Sequence, residues 1–528
     1  MIHPIRFKNH FLVIIILLSS IIPTISNAQT LRDALDSYDN LQFDLALKSF
    51  KKVWKKNKTD NEINYMYGKC ILRANTDRTK AKKYLETVIG NDINYKDANL
   101  ELGIAYTYTQ EYEKAKQVIN YFLKNSDFNN NDKDKNEKQT NKKAEAELLL
   151  KQITTAEILI KKPVNVSFVN LGKSVNTKRS DYNPFITQDG QTLYYTSNKK
   201  YDADLLELIN NVYFVNFTPD EENNWSKMKS IGKDVNSDEN EIIVGLSKDE
   251  RTLILNVNWM RTQGDIFLTD KGRKRFQELS ELEETVNTKY NEASGSLTKN
   301  NDTLYFCSNQ PGGFGGQDIY RSVKLPDGTW GKPLNLGAEI NSQYNETYPN
   351  INADGNRLQF ASDRPESMGG FDIFVAIKKG SHWKSIENIG YPINNAYDNY
   401  IISFSKSGRY AYMDQIRPEG IGASDIYQVI FNDVPAQNII YTGTIKKGTS
   451  QNASLITGTI NIVALSLKNN KVFAKSNYSK TGKYTFAFPP GEFKIKITGT
   501  NIQDFEKIIR IPQNEAKETL VIKNFIVQ

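Results

Sequence analysis

Between Val164 and Asp433 a short motif recurs at a nearly fixed interval, and that interval constrains the fold more than any other feature of the chain. Asp265-Ile266-Phe267, Asp318-Ile319-Tyr320, Asp372-Ile373-Phe374 and Asp425-Ile426-Tyr427 place their aspartates 53, 54 and 53 residues apart. An earlier, degenerate copy reads Asn211-Val212-Tyr213. Five copies align, each opening on an Asn that a Gly precedes in four of them: Gly172/Asn176, Gly232/Asn236, Gly337/Asn341 and Gly390/Asn394, with Asn287 alone in the third. A hairpin signal follows, around Asp189-Gly190 between Ile186 and Tyr195 and around Asp354-Gly355 between Ile351 and Phe360. Asp-Gly between alternating apolar residues favours a tight two-residue reversal. Trp225, Trp330 and Trp383 close three copies. An interval of 53 residues holds four strands of ordinary length with their turns. That is the size of one blade, so residues 163–433 are expected to form a five-bladed β-propeller.

The segment before the propeller has a different period. Ala46, Ala81 and Ala115 are 35 and 34 residues apart, and each is followed four residues later by an apolar side chain, Phe50, Leu85 or Ile119. The best-formed unit is Leu102-Gly103-Ile104-Ala105-Tyr106 with Tyr112 and Ala115. It resembles the tetratricopeptide repeat, in which small residues stand where paired helices touch. The resemblance implies an α-solenoid over residues 29–124, with a weaker register around Gly68. It also implies a concave inner face formed by Leu100, Ile104, Thr107 and Tyr108 of one helix and Tyr65, Lys69 and Arg73 of another. Such a face captures peptides or helices, so these seven residues are the candidate partner-binding set. Residues 125–143 hold many charges and no aliphatic side chain, and are expected to be a mobile polar linker. A helix packing on the repeats is expected over 144–162, stopped by Pro163.

The last 95 residues, 434–528, are strand-like without the repeat. Phe493-Lys-Ile495-Lys-Ile497 alternates between an apolar and a lysine face, after Tyr484-Thr-Phe486 and the turn Pro489-Pro490-Gly491. This run resembles the carboxypeptidase regulatory-like domain, a small non-catalytic β-sandwich. The fold class is therefore multi-domain, α plus all-β.

Residues 1–28 read as a secretory signal. Arg6, Lys8 and His10 precede an apolar run from Phe11 to Ile22, and Ser26-Asn27-Ala28 offers small residues for cleavage after Ala28. No later run reaches the length of a membrane span. The net charge of +7 falls to +5 without Arg6 and Lys8, too mild without a basic cluster to imply a nucleic-acid partner. Cys70 and Cys307 lie in different segments, which predicts two buried free thiols rather than a disulfide or zinc site. With His3 and His10 removed, His382 is the remaining histidine, and its place before Trp383 predicts an exposed turn.

Candidate chemistry has ordinary explanations. Gly312-Gly313-Phe314-Gly315-Gly316 superficially resembles a phosphate cradle, but it precedes a strand, and Gly369-Gly370 and Gly420/Gly422 recur in register, which indicates turn geometry. Asp265, Asp318, Asp372 and Asp425 suggest either a carboxylate ring around a channel or, by their identical placement, carboxylates accepting backbone N–H groups at blade turns. No catalytic residues, cofactor or metal ligands are assigned, and no enzyme activity is expected.

Ser308-Asn309-Gln310-Pro311-Gly312-Gly313 and Ser362-Asp363-Arg364-Pro365 are similar to the TolB-type, WD40-like propeller repeat. With the other modules, the chain resembles Bacteroidetes envelope proteins of the PorE type, of type IX secretion and gliding machinery, which usually end in an OmpA-like domain. No such domain is recognised here, so direct peptidoglycan binding is not expected. The resemblance implies a non-catalytic scaffold or adaptor in the periplasm, associated with the outer membrane through envelope or outer-membrane protein partners. Two alternatives are a carbohydrate-binding or glycoside-hydrolase-like propeller and a cell-surface protein exported through its C-terminal domain.

Overall fold

The computed structural model describes residues 29–126, 128, 133–202, 207–218, 224–258, 264–449, 452–456, 459–478, 482–500, 502–513 and 520–528. The expected signal, 1–28, lies outside them. Residues 29–39 form α1, followed by α2 (Phe43–Lys56), α3 (Asn61–Arg73), α4 (Lys82–Asn91), α5 (Ala98–Tyr108), α6 (Tyr112–Asn125) and α7 (Lys133–Ile160). The first six make three antiparallel pairs. Ala46, Ala81, Ala115 and the apolar residues four positions later are fully buried. A Cβ added to Gly68 would lie 2.9 Å from Leu85, and one added to Gly103 would lie 2.4 Å from Ile119. Gly68 therefore keeps the register that its surroundings obscure in the sequence.

Helix α7 corrects the expected linker. It starts at Lys133, not Ala144, so residues 133–143 are helical. Ala146, Leu149, Ile153 and Ala156 anchor its second half by burial. A helix nucleated there propagates backwards through Lys, Glu and Gln, which are good helix formers, at no further nucleation cost.

The propeller has five four-stranded blades. Blade 1 is β2 (Asp181–Ile186), β3 (Thr192–Asp202), β4 (Glu207–Asn216) and β5 (Lys229–Ser230); it is preceded in the chain by β1 (Val166–Asn170). Blade 2 is β6 (Asn240–Leu246), β7 (Thr252–Asn258), β8 (Asp265–Asp270) and β9 (Ser280–Glu281). Blade 3 is β10 (Ser294–Leu297), β11 (Thr303–Ser308), β12 (Asp318–Val323) and β13 (Leu334–Asn335). Blade 4 is β14 (Glu346–Ile351), β15 (Arg357–Ser362), β16 (Asp372–Lys379) and β17 (His382–Asn388). Blade 5 takes β18 (Ser403–Phe404), β19 (Tyr410–Gln415) and β20 (Asp425–Phe431) from the end of the repeat region, and β1 from its start, Val166 pairing with Phe431 and Asn170 with Tyr427. The ring is closed by strands some 260 residues apart in sequence, which satisfies edges that would otherwise stay open.

The recurrent residues explain the repeat. In every blade the amide of the opening Asn bonds both the N–H and the C=O of one residue in the third strand. Asn236 binds Val212, Asn287 binds Ile266, Asn341 binds Ile319, Asn394 binds Ile373 and Asn176 binds Ile426, at 2.8–3.0 Å. Glu283 replaces Gly in the third copy, where the same turn forms through Val286 and Asn287 N–H to its carbonyl. The aspartates that begin the third strands are turn caps. Asp318 accepts from Phe314 and Gly315 N–H at 2.6 and 3.0 Å. Asp372 accepts from Met368 N–H at 2.9 Å, and Asp425 from Gly422 N–H at 2.9 Å and from Ile421 N–H. Asp265 is buried as well, but residues 259–263 before it lie outside the described set. Trp225, Trp330 and Trp383 are buried between blades. Where two-residue reversals were expected, Thr187 N–H bonds Thr192 C=O, so the first hairpin is longer, with Gly190 at φ 66°.

The C-terminal part is a β-sandwich. One sheet contains β21 (Ile439–Lys447), β22 (Ser454–Leu455), β25 (Lys483–Phe488), β28 (Leu520–Ile522) and β29 (Phe525–Val527). The other contains β23 (Ile460–Ser466), β24 (Val472–Tyr478), β26 (Gly491–Gly499) and β27 (Phe505–Ile511). Phe493, Ile495 and Ile497 are buried, and Lys494 and Lys496 pair with Glu506 on the outer face. Among the described residues no helix is long and apolar enough to cross a membrane.

Asn394 is fully buried, and its removal strands an N–H and a C=O at Ile373. Asn394→Ala is expected to lower stability by about 2–4 kcal/mol in urea unfolding, and Asn341→Ala by a similar amount. A loss below about 0.5 kcal/mol would show that the Asn bridge does not hold the blade connection.

Candidate functional site

The seven residues expected to line a partner groove do not face an open groove. Tyr65 is buried and donates its hydroxyl to Asp97, whose carboxylate also meets Lys69 at 3.6 Å and Lys142 of α7 at 2.7 Å. Burial alone would raise the Asp97 carboxyl, but Lys69, Lys142 and Tyr65 together hold it at about 2. Arg73 makes a two-pronged bond to the buried Glu101, which Lys69 approaches at 3.4 Å. Leu100 and Thr107 are buried, Thr107 bonding back to Ile104 C=O, and Ile104 is half-buried against the helical core. Tyr108 meets the propeller. The open-groove expectation is thus corrected to an internal interface, because Lys142 of α7 reaches Asp97 at the start of α5 and Tyr397 of the propeller packs on Tyr108 at its end.

The propeller covers the rest of that face. Arg78, in the turn between α3 and α4, donates to the Tyr108 hydroxyl at 2.7 Å and stands 3.7 Å from Asp398 of the blade 4–5 connection. Its guanidinium lies over the rings of Tyr108 and Tyr397 at 5.5 and 5.7 Å, and those rings are 4.8 Å apart. The Tyr397 hydroxyl accepts from Arg78 N–H at 3.2 Å. From α7, Gln152 and Thr155 donate to Asp363 and Pro365 carbonyls at 2.9 Å. The helices therefore roof one mouth of the channel. Beneath the roof a chamber of about 340 Å³ is walled by Asn75 and Arg78 above and by Tyr182, Tyr348, Tyr400 and Asp414 below.

A second set of acids was not singled out in the sequence. Asp181, Glu241, Glu292 and Glu346 lie within two residues of the start of the inner strands, and each caps the N–H of the residue four positions back, Thr177, Ser237, Thr288 or Ser342. Asn399 does the same for Asn395. The signal was present: each blade-opening Asn is followed by Ser, Thr or Asn, then four residues later by Asp, Glu or Asn. Local partners differ. Glu346 meets Arg364 at 2.8 Å and Glu292 accepts from the Ser308 hydroxyl at 2.5 Å, whereas Glu241 Oε2 has no hydrogen-bond partner among the described residues. Burial pushes the Glu241 carboxyl up to about 7 and those of Asp181 and Asp414 up to about 6.

The opposite mouth is open. The hairpins between first and second strands of blades 1, 2, 4 and 5 surround a cavity of about 420 Å³. Lys248 of blade 2 reaches across the channel to Asn350 of blade 4, Nζ to Oδ1 at 2.6 Å. Withdrawal from water lowers its ammonium to about 8. Arg357 lies over the Phe404 ring at 5.9 Å, and Lys406 stands at the rim. A third cavity, about 480 Å³, separates blade 5 from the sandwich beside the bond from Gln428 to Gln513 C=O at 2.9 Å.

The remaining singled-out residues are structural. Cys70 and Cys307 are buried free thiols. His382 is exposed but begins β17 rather than sitting in a turn, its Nδ1 2.6 Å from Glu339. An added Cβ on Gly315 would fall 1.8 Å from Tyr344 C=O, so this glycine serves close turn packing.

No protein-family profile and no curated protein matches this sequence. Solved structures with a similar fold include TolB from Acinetobacter baumannii, at 12% identity and TM-score 0.32, covering 48% of this chain and 56% of that one. The putative TolB from Agrobacterium tumefaciens gives 13% and 0.29, covering 61% and 98%. Bacteroides ovatus Xyloglucan PUL GH43B gives 12% and 0.31, covering 65% and 91%. The chain thus spans just over half the length of the first of these. Likeness at this level carries neither fold nor activity to this chain, whose propeller is read from its own sheets.

Arg78→Ala removes the cation shared by Tyr108, Tyr397 and Asp398, and trypsin cleavage after Lys161, just past α7, is expected to quicken about tenfold; an unchanged rate would show that the roof is held elsewhere. The folded chain retains a proton on Glu241 up to about pH 7, while the unfolded chain releases it near 4.5, so in this window the folded state binds more protons and stability falls as pH rises. Urea unfolding at pH 5 and 7.5 should show Glu241→Gln flattening that fall by about 1–2 kcal/mol. Parallel curves for the two proteins would place the proton elsewhere.

Proposed function

We propose that this chain is a non-catalytic scaffold of the periplasm, associated with the outer membrane through envelope protein partners. The observation that carries the reading is the docking at Arg78. A helical stack of the kind that captures peptides has its inner face closed by α7 and its rim bound to blades 4 and 5, so helices and propeller form one continuous body. Such a body offers partners its outer surfaces rather than a mobile arm. The recurrent acids of the blades add support, because Asp318, Asp372 and Asp425 are engaged by turn N–H groups rather than held ready for acid–base work. The module order and its resemblance to PorE-type proteins favour the type IX secretion and gliding machinery as the setting.

Cross-linking in intact cells, followed by affinity purification from envelopes, tests this reading together with protease shaving. Recovery of a constant set of envelope or outer-membrane proteins is expected, with the chain protected from protease until the outer membrane is opened. Hydrolysis of cell-wall or plant glycans by the purified chain, or its digestion on intact cells, would overturn the proposal.

A further inference from the structure

The open mouth of the propeller holds donors that the fold itself leaves unused. Gln359 is buried and lines the cavity, yet its Nε2 has no hydrogen-bond partner among the described residues. A buried amide N–H without an acceptor is costly, which marks the place where an acceptor belongs. Gln359 pairs across the strands with Asn350, the residue that holds Lys248, so the orphan amide and the ammonium share one level of the channel. Arg357 stands two residues before Gln359 on the same face of β15 and has no ion pair among the described residues. Lys248 likewise has no carboxylate partner, and its lowered pKa arises from burial alone. Two acids also line the cavity. Glu250 is tied to Gln188 N–H, and Asp354 is exposed at the rim.

We propose that this mouth binds a small organic carboxylate, including the free C-terminus of a peptide, with the acid group between Lys248 and Gln359 and the apolar body against Phe404. The charge balance selects this class. A neutral sugar would leave the ammonium without a counter-charge, which a carboxylate supplies while bringing a single negative charge to a cavity that Glu250 and Asp354 also line. A planar carboxylate accepts from an amide and an ammonium at once. The volume of about 420 Å³ falls within the range of small-ligand pockets. The site is independent of the scaffold reading, since it lies at the mouth opposite the helical roof.

Isothermal titration of the chain from Gln29 to Gln528 decides the matter, using 3-phenylpropanoate, N-acetyl-Ala-Phe and its C-terminal amide, inorganic phosphate and maltose. Both free acids are expected to bind, with the amide weaker by about tenfold. Preference for 3-phenylpropanoate identifies a free acid as the ligand, and preference for N-acetyl-Ala-Phe a peptide end. Lys248→Met and Gln359→Leu should each weaken acid binding by about tenfold, with melting curves showing that the variants remain folded. Should either variant fail to fold, the acid-against-amide comparison on the unaltered chain decides alone. Equal binding of acid and amide, tighter binding of phosphate or maltose, or no heat from either acid at millimolar concentration would overturn the proposal.

Discussion

Each blade hands the chain on to the next through two hydrogen bonds from one Asn amide to one residue's main chain. The bonds recur at Asn176, Asn236, Asn287, Asn341 and Asn394, and the rest of the propeller is built around them. An extended connection has no ladder of its own, and a buried main chain without partners is costly. The Asn amide supplies both a donor and an acceptor, so the connection runs from rim to channel at a fixed place in every blade. Five residues later an acid caps the same connection, which brings Asp181, Glu241, Glu292 and Glu346 close to the axis. Identical geometry with different neighbours then gives unlike carboxyl groups, from the ion-paired Glu346 to Glu241 with one oxygen unpartnered.

Closure of the ring decides how the other modules attach. Strand β1 follows α7 directly, and β20, its partner, leads into the sandwich, so both flanking modules leave from neighbouring strands of blade 5. That placement lets α7 lie over blade 4 and sets Arg78 above Tyr397 and Asp398. One mouth of the channel becomes an interface, and the other stays accessible. The asymmetry is topological in origin, since the repeats themselves are alike.

Much of this was legible in the residues. The interval between Asp-Ile-aromatic motifs gave the blade count, the glycines recurring in register ahead of those motifs marked turns, and the alternation from Phe493 to Ile497 gave a sandwich strand with its lysine face outward. The aspartates were readable as turn caps because identical placement in every copy is the mark of geometry rather than of chemistry. Other features were hidden. The start of α7 was obscured because a charged run reads as solvated whether or not a packed segment downstream draws it into a helix. The inner face of the helices was assigned to a partner because a repeat motif identifies a face without saying what covers it. Lys248 and Gln359 carried no signal, being single polar residues at different places in two copies.

The sequence by itself determined the local structure: helix pairs set by small residues at fixed spacing, blades set by a recurrent Asn and Asp, and a sandwich set by alternation. These follow from interactions among residues within one repeat, or between one repeat and the next, where spacing along the chain is spacing in the fold. Only the tertiary structure decided which copy would be completed by β1, which mouth Arg78 would help to roof, and which side chains would meet across the channel. Lys248 and Asn350 are 102 residues apart, and Arg78 and Tyr397 are 319. Contacts at such separations depend on how whole modules close on one another, and no local pattern records that.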